Sequence, residues 1–248
     1  MRYDYLAALT AFTCAGFAGS ATAVDLGTAQ SFAVLGGSTV TNTGPTNITG
    51  NLGVAPGSAI VGFPPGSILG TLHAGDAVAL QAQADVTTAY NELAGLALTQ
   101  DLTGQDLGGL TLFPGVYFFS SSAFLTGTLT LDAQGNPDAL FVFQIGSTLI
   151  SASSSSVLMI NSGNACEVFW QVGSSATLGT DTTFQGNILA LASITLNTRA
   201  TLVEGRALAR NGAVTMDTNT IIAGCIPSPG TAFLFGTVVV GVLGKRRR

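Results

Sequence analysis

The stretch that decides the fold covers residues 175–222 and divides into three lines of similar sequence. They read SATLGTDTTFQGNILA (175–190), SITLNTRATLVEGRALA (193–209) and AVTMDTNTII (213–222). Stacked on one another, the lines place threonines in two columns, with steps of 18 to 20 residues: Thr177, Thr195 and Thr215 in one, and Thr180, Thr198 and Thr218 in the other. A repeat of this length is typical of one coil of a parallel β-solenoid.

The threonine columns predict a regular surface. Stacked strands lie about 4.8 Å apart, and alternate residues on one strand lie about 6.7 Å apart. Threonine is stiff about χ1, so each column would hold its methyl and hydroxyl groups in a fixed array. Threonine also simply favours exposed strands. The columns therefore indicate either a scaffold surface or a face that binds a regular partner.

The repeat continues on both sides of this stretch. FQIGSTLISASSSSV (143–157) aligns without a gap on WQVGSSATLGTDTTF (170–184), which sets Ser153 opposite Thr180. Near the other end, NTGPTNITGNLG (42–53) resembles NTRATLVEGRAL (197–208) and sets Thr43 opposite Thr198. We therefore expect the first coils of the chain to resemble the last ones.

One segment, residues 76–97, breaks the β pattern. Its sequence, DAVALQAQADVTTAYNELAGLA, carries apolar residues at helical spacing, and Asp76 can cap its N-terminus. Its many alanines permit close approach to a neighbouring surface. We predict a single long helix that packs lengthwise along one flank of the solenoid.

The composition favours a β-rich domain and excludes some partners. Charged residues make up 8% of the 248, and the mean hydropathy is +0.50. The body, residues 24–226, contains three arginines against 12 acidic residues, a net charge of −9. Such a body has almost no cations to displace phosphate counterions, so we expect no nucleic-acid partner.

Both termini have the composition of targeting segments. Residues 1–23 have the pattern of a signal peptide, with an apolar run followed by the small residues Ala21-Thr22-Ala23. Residues 227–248 contain a Pro motif, an apolar run and the basic end KRRR. This tail resembles bacterial Pro-Glu-Pro-type sorting signals but lacks the Glu, and a plain C-terminal membrane anchor is the alternative. We expect a secreted or cell-surface protein that meets a membrane only through this tail.

The chemistry-bearing residues predict no catalytic or metal site, and we expect no cofactor. His73 is the only histidine, and the acidic residues are scattered through turns, where Asp is common. Cys14 would leave with the signal peptide. The remaining Cys166 and Cys225 are either a disulfide pair of an oxidising compartment or two buried free thiols.

The body resembles the microbial ice-binding (antifreeze) protein family. The matching segments cover nearly all of it in order: residues 31–57, the helix that begins at Asp76, and residues 106–117, 125–149, 168–180 and 204–221. The resemblance implies a mainly β fold, a discontinuous right-handed parallel β-solenoid of triangular section with one long helix alongside. It also implies that the N- and C-terminal coils meet in space and that one flat face binds ice.

The predicted function is therefore adsorption to ice, with inhibition of ice growth and recrystallisation, by a monomer that is not an enzyme. A cell-surface adhesin or matrix protein with a solenoid stalk is the alternative, and a polysaccharide-active enzyme is a third, weaker one. We expect the ice-binding residues to lie on one flat face or to divide between two adjacent faces. They are Thr43, Thr46, Thr49, Ser153, Thr180, Thr183, Thr198, Thr201, Thr218 and Thr220.

Overall fold

A computed structural model describes residues 24–224 as a β-solenoid with three faces and one helix. Every described strand pair is parallel. The solenoid with a single long helix confirms the predicted fold class. The predicted signal peptide, the predicted C-terminal sorting signal or anchor, and Cys225 lie outside the described residues.

The strands form three faces, which we number 1 to 3. Strand labels follow the order of the chain, and the strands of each face are given below in the order in which they stack. Face 1 contains β7 (Leu72–Ala74), β4 (Asn51–Val54), β1 (Phe32–Gly36), the second halves of β20 (Thr201–Ala209) and β18 (Thr183–Ala190), β16 (Val168–Val172), β13 (Phe141–Ile145), β10 (Gly115–Phe119) and β8 (Gln100–Asp101). Face 2 contains β5 (Ala59–Val61), β2 (Thr39–Thr43), β21 (Val214–Asp217), β19 (Ile194–Leu196), β17 (Ala176–Leu178), β14 (Leu149–Ser151) and β11 (Ala123–Leu125). Face 3 contains β6 (Ser67–Leu69), β3 (Asn47–Thr49), β22 (Thr220–Ile222), the first halves of β20 and β18, β15 (Ser156–Ile160), β12 (Thr128–Asp132) and β9 (Thr111–Leu112). Two short 3₁₀ helices, Gly27–Ser31 and Ala165–Glu167, lie outside these faces.

The solenoid is discontinuous in sequence, as predicted. The chain enters near the middle with β1 to β3, builds one end with β4 to β7, and crosses to the other end through the helix. It then returns coil by coil until β20, β21 and β22 pair with β1, β2 and β3. The first and last coils therefore meet in space.

The helix α1 spans Ala77–Gly95, in agreement with the predicted 76–97 segment. Asp76 caps its N-terminus, because the carboxylate accepts a hydrogen bond of 2.9 Å from the backbone N–H of Ala79. At 19 residues the helix is about 28 Å long. This length lets it lie along most of face 1.

Face 1 is closed by this helix. The buried side of the helix, which includes Ala82, Val86 and Leu93, packs on outward-pointing side chains of face 1 such as Phe32 and Leu208. The Gln83 amide donates to the carbonyl of Ala209 at 3.0 Å, and the Tyr90 hydroxyl donates to that of Val172 at 3.2 Å. Faces 2 and 3 carry no such cover among the described residues, so they are the surfaces open to a partner.

The interior is filled by aliphatic rows and a stack of aromatic rings. Trp170 lies nearly parallel to Phe143, with ring centroids 3.9 Å apart, and Phe184 and Tyr117 extend the stack on either side. Trp170 is the only tryptophan of the chain, so its fluorescence reports on this core. No helix of the described part is long and apolar enough to span a membrane.

Candidate ice-binding face

Face 2 carries one outward side chain per strand in an unbroken central column. Four of these side chains, on adjacent strands, are threonines. The column continues through apolar residues at both ends. In order it consists of Phe124, Ile150, Thr177, Thr195, Thr215, Thr41 and Val61. The predicted register of Thr177, Thr195 and Thr215 is therefore confirmed, and Thr41 extends the column to the first coil of the chain.

A second column of small side chains lies beside the first, at the edge where the chain enters face 2. Backbone hydrogen bonds at the strand starts fix its register, for example Ala176 N–H to Ser193 O at 2.9 Å and Ile194 N–H to Ala213 O at 2.9 Å. Its members are Ser122, Thr148, Ser175, Ser193, Ala213, Thr39 and Ala59. None of these side chains is charged, and the first charged residue in line with the central column is Asp106, which pairs with Phe124 beyond its end. Face 2 is thus a neutral surface of stiff β-branched residues beside small ones.

Several hydroxyl groups of face 2 are held in place by hydrogen bonds. Ser122 and Thr148 share a hydrogen bond of 2.7 Å between their hydroxyls, and Thr41 Oγ1 donates to Thr215 Oγ1 at 3.3 Å. The hydroxyl of Ser193 accepts from the backbone N–H of Ala213 at 3.2 Å. These contacts restrict side-chain rotation, so the face is ordered before any partner arrives.

Face 2 also rests on a rigid platform. The residues that alternate with its outward column point inward and are fully buried, for example Ala176, Ile194 and Val214 in one row and Leu178 and Met216 in the next. Close-packed interiors resist deformation. The outward column therefore keeps its spacing from strand to strand.

Four of the predicted residues lie at the corner where the chain passes from face 2 to face 3. Their register follows from a ladder of backbone bonds that includes Ser154 N–H to Thr180 O at 2.8 Å and Asp181 N–H to Thr198 O at 3.1 Å. The residue that follows each of them has a positive φ and turns the chain toward face 3; these residues are Ser154, Asp181, Arg199 and Gly44. The four residues are Ser153, Thr180, Thr198 and Thr43, and Asp217 lies between Thr198 and Thr43 in this corner column.

The predicted column of Thr180, Thr198 and Thr218 is wrong in its last member. Arg199 N–H donates to Asp217 O at 3.1 Å, which places Asp217, not Thr218, next to Thr198. Thr218 takes the following left-handed position, with φ 56° against 59° at Arg199. The physical reason is the number of residues between the strand and the corner. Leu196 and Met216 are register partners, but the corner position is the second residue after Leu196 and the first residue after Met216.

Thr46 cannot touch ice, and this assignment is also wrong. Its side chain is 0% exposed; its hydroxyl donates to Asn42 Oδ1 at 2.5 Å and accepts from Asn219 N–H at 3.0 Å. Pro45 adds a residue to this corner. As a result Thr46 points inward and Asn47 takes the place in register with Thr220.

The remaining predicted residues lie on face 3. Thr183, Thr201 and Thr220 are register partners in one column. Thr49 lies in the neighbouring column, next to Ile222. The ten predicted residues therefore divide between the corner, face 3 and the interior, and none of them lies in the central column of face 2.

Arg199, Asp181 and Asp217 form a group of charged side chains at this corner. Arg199 binds Asp181 through two bonds, Nε to Oδ1 at 2.7 Å and a second at 2.8 Å, and this contact lowers the pKa of Asp181. A hydrogen bond from Thr198, 2.5 Å long, is the main cause that lowers the pKa of Asp217. Both carboxylates are thus ionised at neutral pH and lie outside the two columns of face 2.

Sequence comparison assigns the chain to a known group. A sequence profile of the family described as Ice-binding-like matches residues 34–222, which is most of the chain. The chain belongs to the ice-binding family. An ice-binding protein of Nostoc sp. (strain HG1) is 59% identical over 92% of this chain and 85% of its own length, and one of a Colwellia species is 34% identical over 81% and 84%.

Solved structures of the ice-binding family agree with the fold. The ice-binding protein from an Antarctic biological consortium superimposes with a TM-score of 0.79 at 53% identity, over 81% of this chain and 91% of that one. The ice-binding protein of the Antarctic ascomycete Antarctomyces psychrotrophicus gives 0.80 at 44% identity, over 83% and 100%. These relatives are named as ice-binding proteins, and none of the four is named as an adhesin or an enzyme.

Proposed function

We propose that this protein adsorbs to ice through face 2 and thereby inhibits ice growth and recrystallisation. The observation that carries the proposal is the column of four threonines in register, uncharged and covered by no other element of the described residues. The corner residues Ser153, Thr180, Thr198 and Thr43 border this face and would make contacts at its rim.

The physical basis is preorganisation. A stiff array of methyl groups and hydroxyls at a repeat of about 4.8 Å holds surface water in a regular layer. Because the side chains and the platform beneath them are already fixed, little conformational entropy is lost on adsorption. A charged side chain within the array would bind water in a competing geometry, and the two columns contain none.

The test is an ice-recrystallisation assay on the purified protein and on a Thr195→Tyr variant. A ring that projects from the centre of face 2 should prevent close contact with a flat crystal. We expect the concentration needed to stop grain growth to rise about tenfold or more, which corresponds to about 1.4 kcal/mol of adsorption free energy. Thr88→Tyr, the same substitution at an exposed helix position, is the matched control and should change nothing. Equal activity of the two variants would refute the assignment of face 2.

We further propose that the body, residues 24–226, is exported, with residues 1–23 as the signal peptide and residues 227–248 as a sorting signal or anchor. In this proposal the body works as a non-enzymatic monomer without a nucleic-acid partner. Removing residues 231–248 should leave its unfolding transition unchanged and shift the protein from the cell surface to the medium. An unchanged distribution between cells and medium would deny the tail a sorting role.

We also propose that Cys166 pairs with Cys225. Cys166 is disulfide-bonded. Gly224, the residue before Cys225, lies so close that an added Cβ would stand 2.9 Å from Cys166 Sγ. Peptide mapping of the exported protein without reductant should find the two cysteines linked, and free thiols at both positions would contradict the proposal.

A further inference from the structure

Face 3 carries a polar column that is longer than the threonine run of face 2. Each of seven adjacent strands contributes one hydroxyl or amide side chain, and each neighbouring pair is in direct register. The members are Thr128, Ser156, Thr183, Thr201, Thr220, Asn47 and Ser67. Hydrogen bonds join some neighbours, such as Thr128 to Ser156 at 2.8 Å and Ser67 to Asn47 at 2.7 Å. This column is therefore partly fixed, as the small column of face 2 is.

Beside the polar column lies a second column in which large apolar side chains alternate with polar ones such as Thr130 and Gln185, and several of the apolar side chains are well exposed. Leu158 is 48% exposed, Ile222 is 37% exposed, and Leu69 is 75% exposed. Register places Val203 next to Ile222, and Thr49 between Ile222 and Leu69. Neither column contains a charged residue. Exposed apolar residues gathered on one surface of a soluble protein commonly mark a contact site.

Faces 2 and 3 cannot meet one flat crystal plane together. The chain turns between them at the corner, where both side chains of the Arg199–Asp181 ion pair are exposed. The polar column of face 3 lies beside a column of mixed large apolar and polar side chains, whereas the threonine column of face 2 lies beside a column of small ones, so the two faces present different patterns to a lattice. Contact through face 3 would therefore be a separate event with a different match.

We infer that face 3 is a second ice-contact surface, which adsorbs to a crystal plane other than the one that face 2 meets. The inference rests on the proposed function, since it assumes that the protein binds ice. Ice is the occupant that fits, because the partner must be neutral, periodic along the stacking direction and able to pack against hydroxyls and methyls alike.

The experiment labels the purified protein fluorescently at its N-terminus and lets it adsorb to a growing single crystal of ice, so that the bound planes become visible. Thr195→Tyr blocks face 2, Thr201→Tyr blocks face 3, and Thr88→Tyr is the control. Thr183→Tyr, in the same column as Thr201 but more exposed, serves as a second face 3 variant. A melting curve followed by Trp170 fluorescence confirms that each variant is folded.

The inference predicts two sets of labelled planes for the unaltered protein. Thr195→Tyr should remove one set, and both face 3 variants should remove the other. If the face 3 variants label the same planes as the unaltered protein while Thr195→Tyr labels none, face 3 does not bind ice and the assignment of face 2 stands. If the unaltered protein labels no plane, the proposed function itself fails.

Two other results would also overturn the inference. If the face 3 variants label no plane while Thr195→Tyr labels the same planes as the unaltered protein, face 3 is the only ice surface and the assignment of face 2 is refuted. A dimer in sedimentation experiments that the face 3 variants convert to a monomer would show that a second copy of the chain covers face 3.

Discussion

Thr195 and Thr215 are direct register partners on β19 and β21, although 20 residues of chain separate them. One coil of the solenoid closes between them and returns the chain to the same position. The same relation joins Thr195 to Thr177 and Thr215 to Thr41. A repeat of one coil therefore places four identical side chains at the strand spacing, which no single strand or helix could do.

Two substitutions at Thr195 test the contributions of its methyl group and its hydroxyl group separately. Thr195→Val keeps the branched shape, whereas Thr195→Ser keeps the hydroxyl and loses the methyl and the stiffness about χ1. A hydroxyl that exchanges a hydrogen bond to liquid water for a hydrogen bond to ice gains little net free energy. We expect the valine variant to retain most ice-growth inhibition and the serine variant to lose more, as measured by thermal hysteresis. The opposite order would mean that hydrogen bonding to ice dominates.

Thr46 should matter for stability and not for ice. Thr46→Val removes the buried hydroxyl that joins Asn42 to the backbone of Asn219. Leaving these polar groups without a partner should lower the free energy of unfolding by about 1–3 kcal/mol. Urea titration would measure the loss, and recrystallisation assays at low temperature should give unchanged activity. A variant with normal stability and lost activity would return Thr46 to the ice-binding surface.

Arg206 should be a strong stability determinant, because it joins three parts of the chain. Arg206 is 1% exposed, and its guanidinium donates to the carbonyls of Gln30 and Gly224 at 2.7 and 2.6 Å and to the amide oxygen of Asn187 at 2.8 Å. Burial lowers the pKa of Arg206 to about 10, so it stays charged at neutral pH.

Arg206→Met should therefore lower the free energy of unfolding by about 3 kcal/mol, a fall of roughly 10 °C in Tm. Arg210→Met is the control. Arg210 is half-buried and lies over the Tyr90 ring at 4.6 Å, so its loss should cost less. Calorimetry that ranks the two variants in reverse order would contradict this account of Arg206.

Acid should destabilise the fold. The pKa values of six described aspartates are lowered, those of Asp76, Asp85, Asp101, Asp106, Asp181 and Asp217. A carboxyl whose folded-state pKa lies below its unfolded value adds stability above the unfolded value, and that stability is lost as the pH falls through the folded value. Glu167 acts in the opposite sense, since burial and then the charge of Asp138 raise its pKa.

We therefore expect a Tm that is steady between about pH 7 and pH 5 and that falls below about pH 4. Asp217→Asn should reduce this acid dependence, because it removes the group that Thr198 stabilises in its charged form. A Tm that rises as the pH falls from 4 to about 3 would show that Glu167 outweighs the aspartates.

The sequence predicted those features that depend on periodicity. The coil-length repeat predicted the solenoid, and the apolar spacing predicted the helix to within two residues at either end. It also predicted the register of Thr177, Thr195 and Thr215, because their coils have matching lengths from the strand start to that position.

The errors arose at the corners, where one coil can hold one residue more than the next. The extra residue at Pro45 turned Thr46 inward, and the shorter corner after Met216 displaced Thr218. Thr41 was missed for the same reason. Aligning 42–53 on 197–208 without a gap set Asn42 opposite Asn197, whereas Asn42 lies in register with Met216 and Leu196. Two-residue alternation along β2, counted back from Thr43, would have identified Thr41 as an outward residue.

The central claim is that the protein enters the ice phase through face 2, and uptake into ice tests it most directly. A dilute solution is frozen slowly from one side, and the protein in the ice is compared with that left in the liquid. We predict that the unaltered protein and Thr88→Tyr are concentrated in the ice, and that the double variant Thr177→Tyr/Thr215→Tyr is taken up far less. Uptake of the double variant equal to that of the unaltered protein, or exclusion of the unaltered protein like an ordinary solute, would contradict the claim.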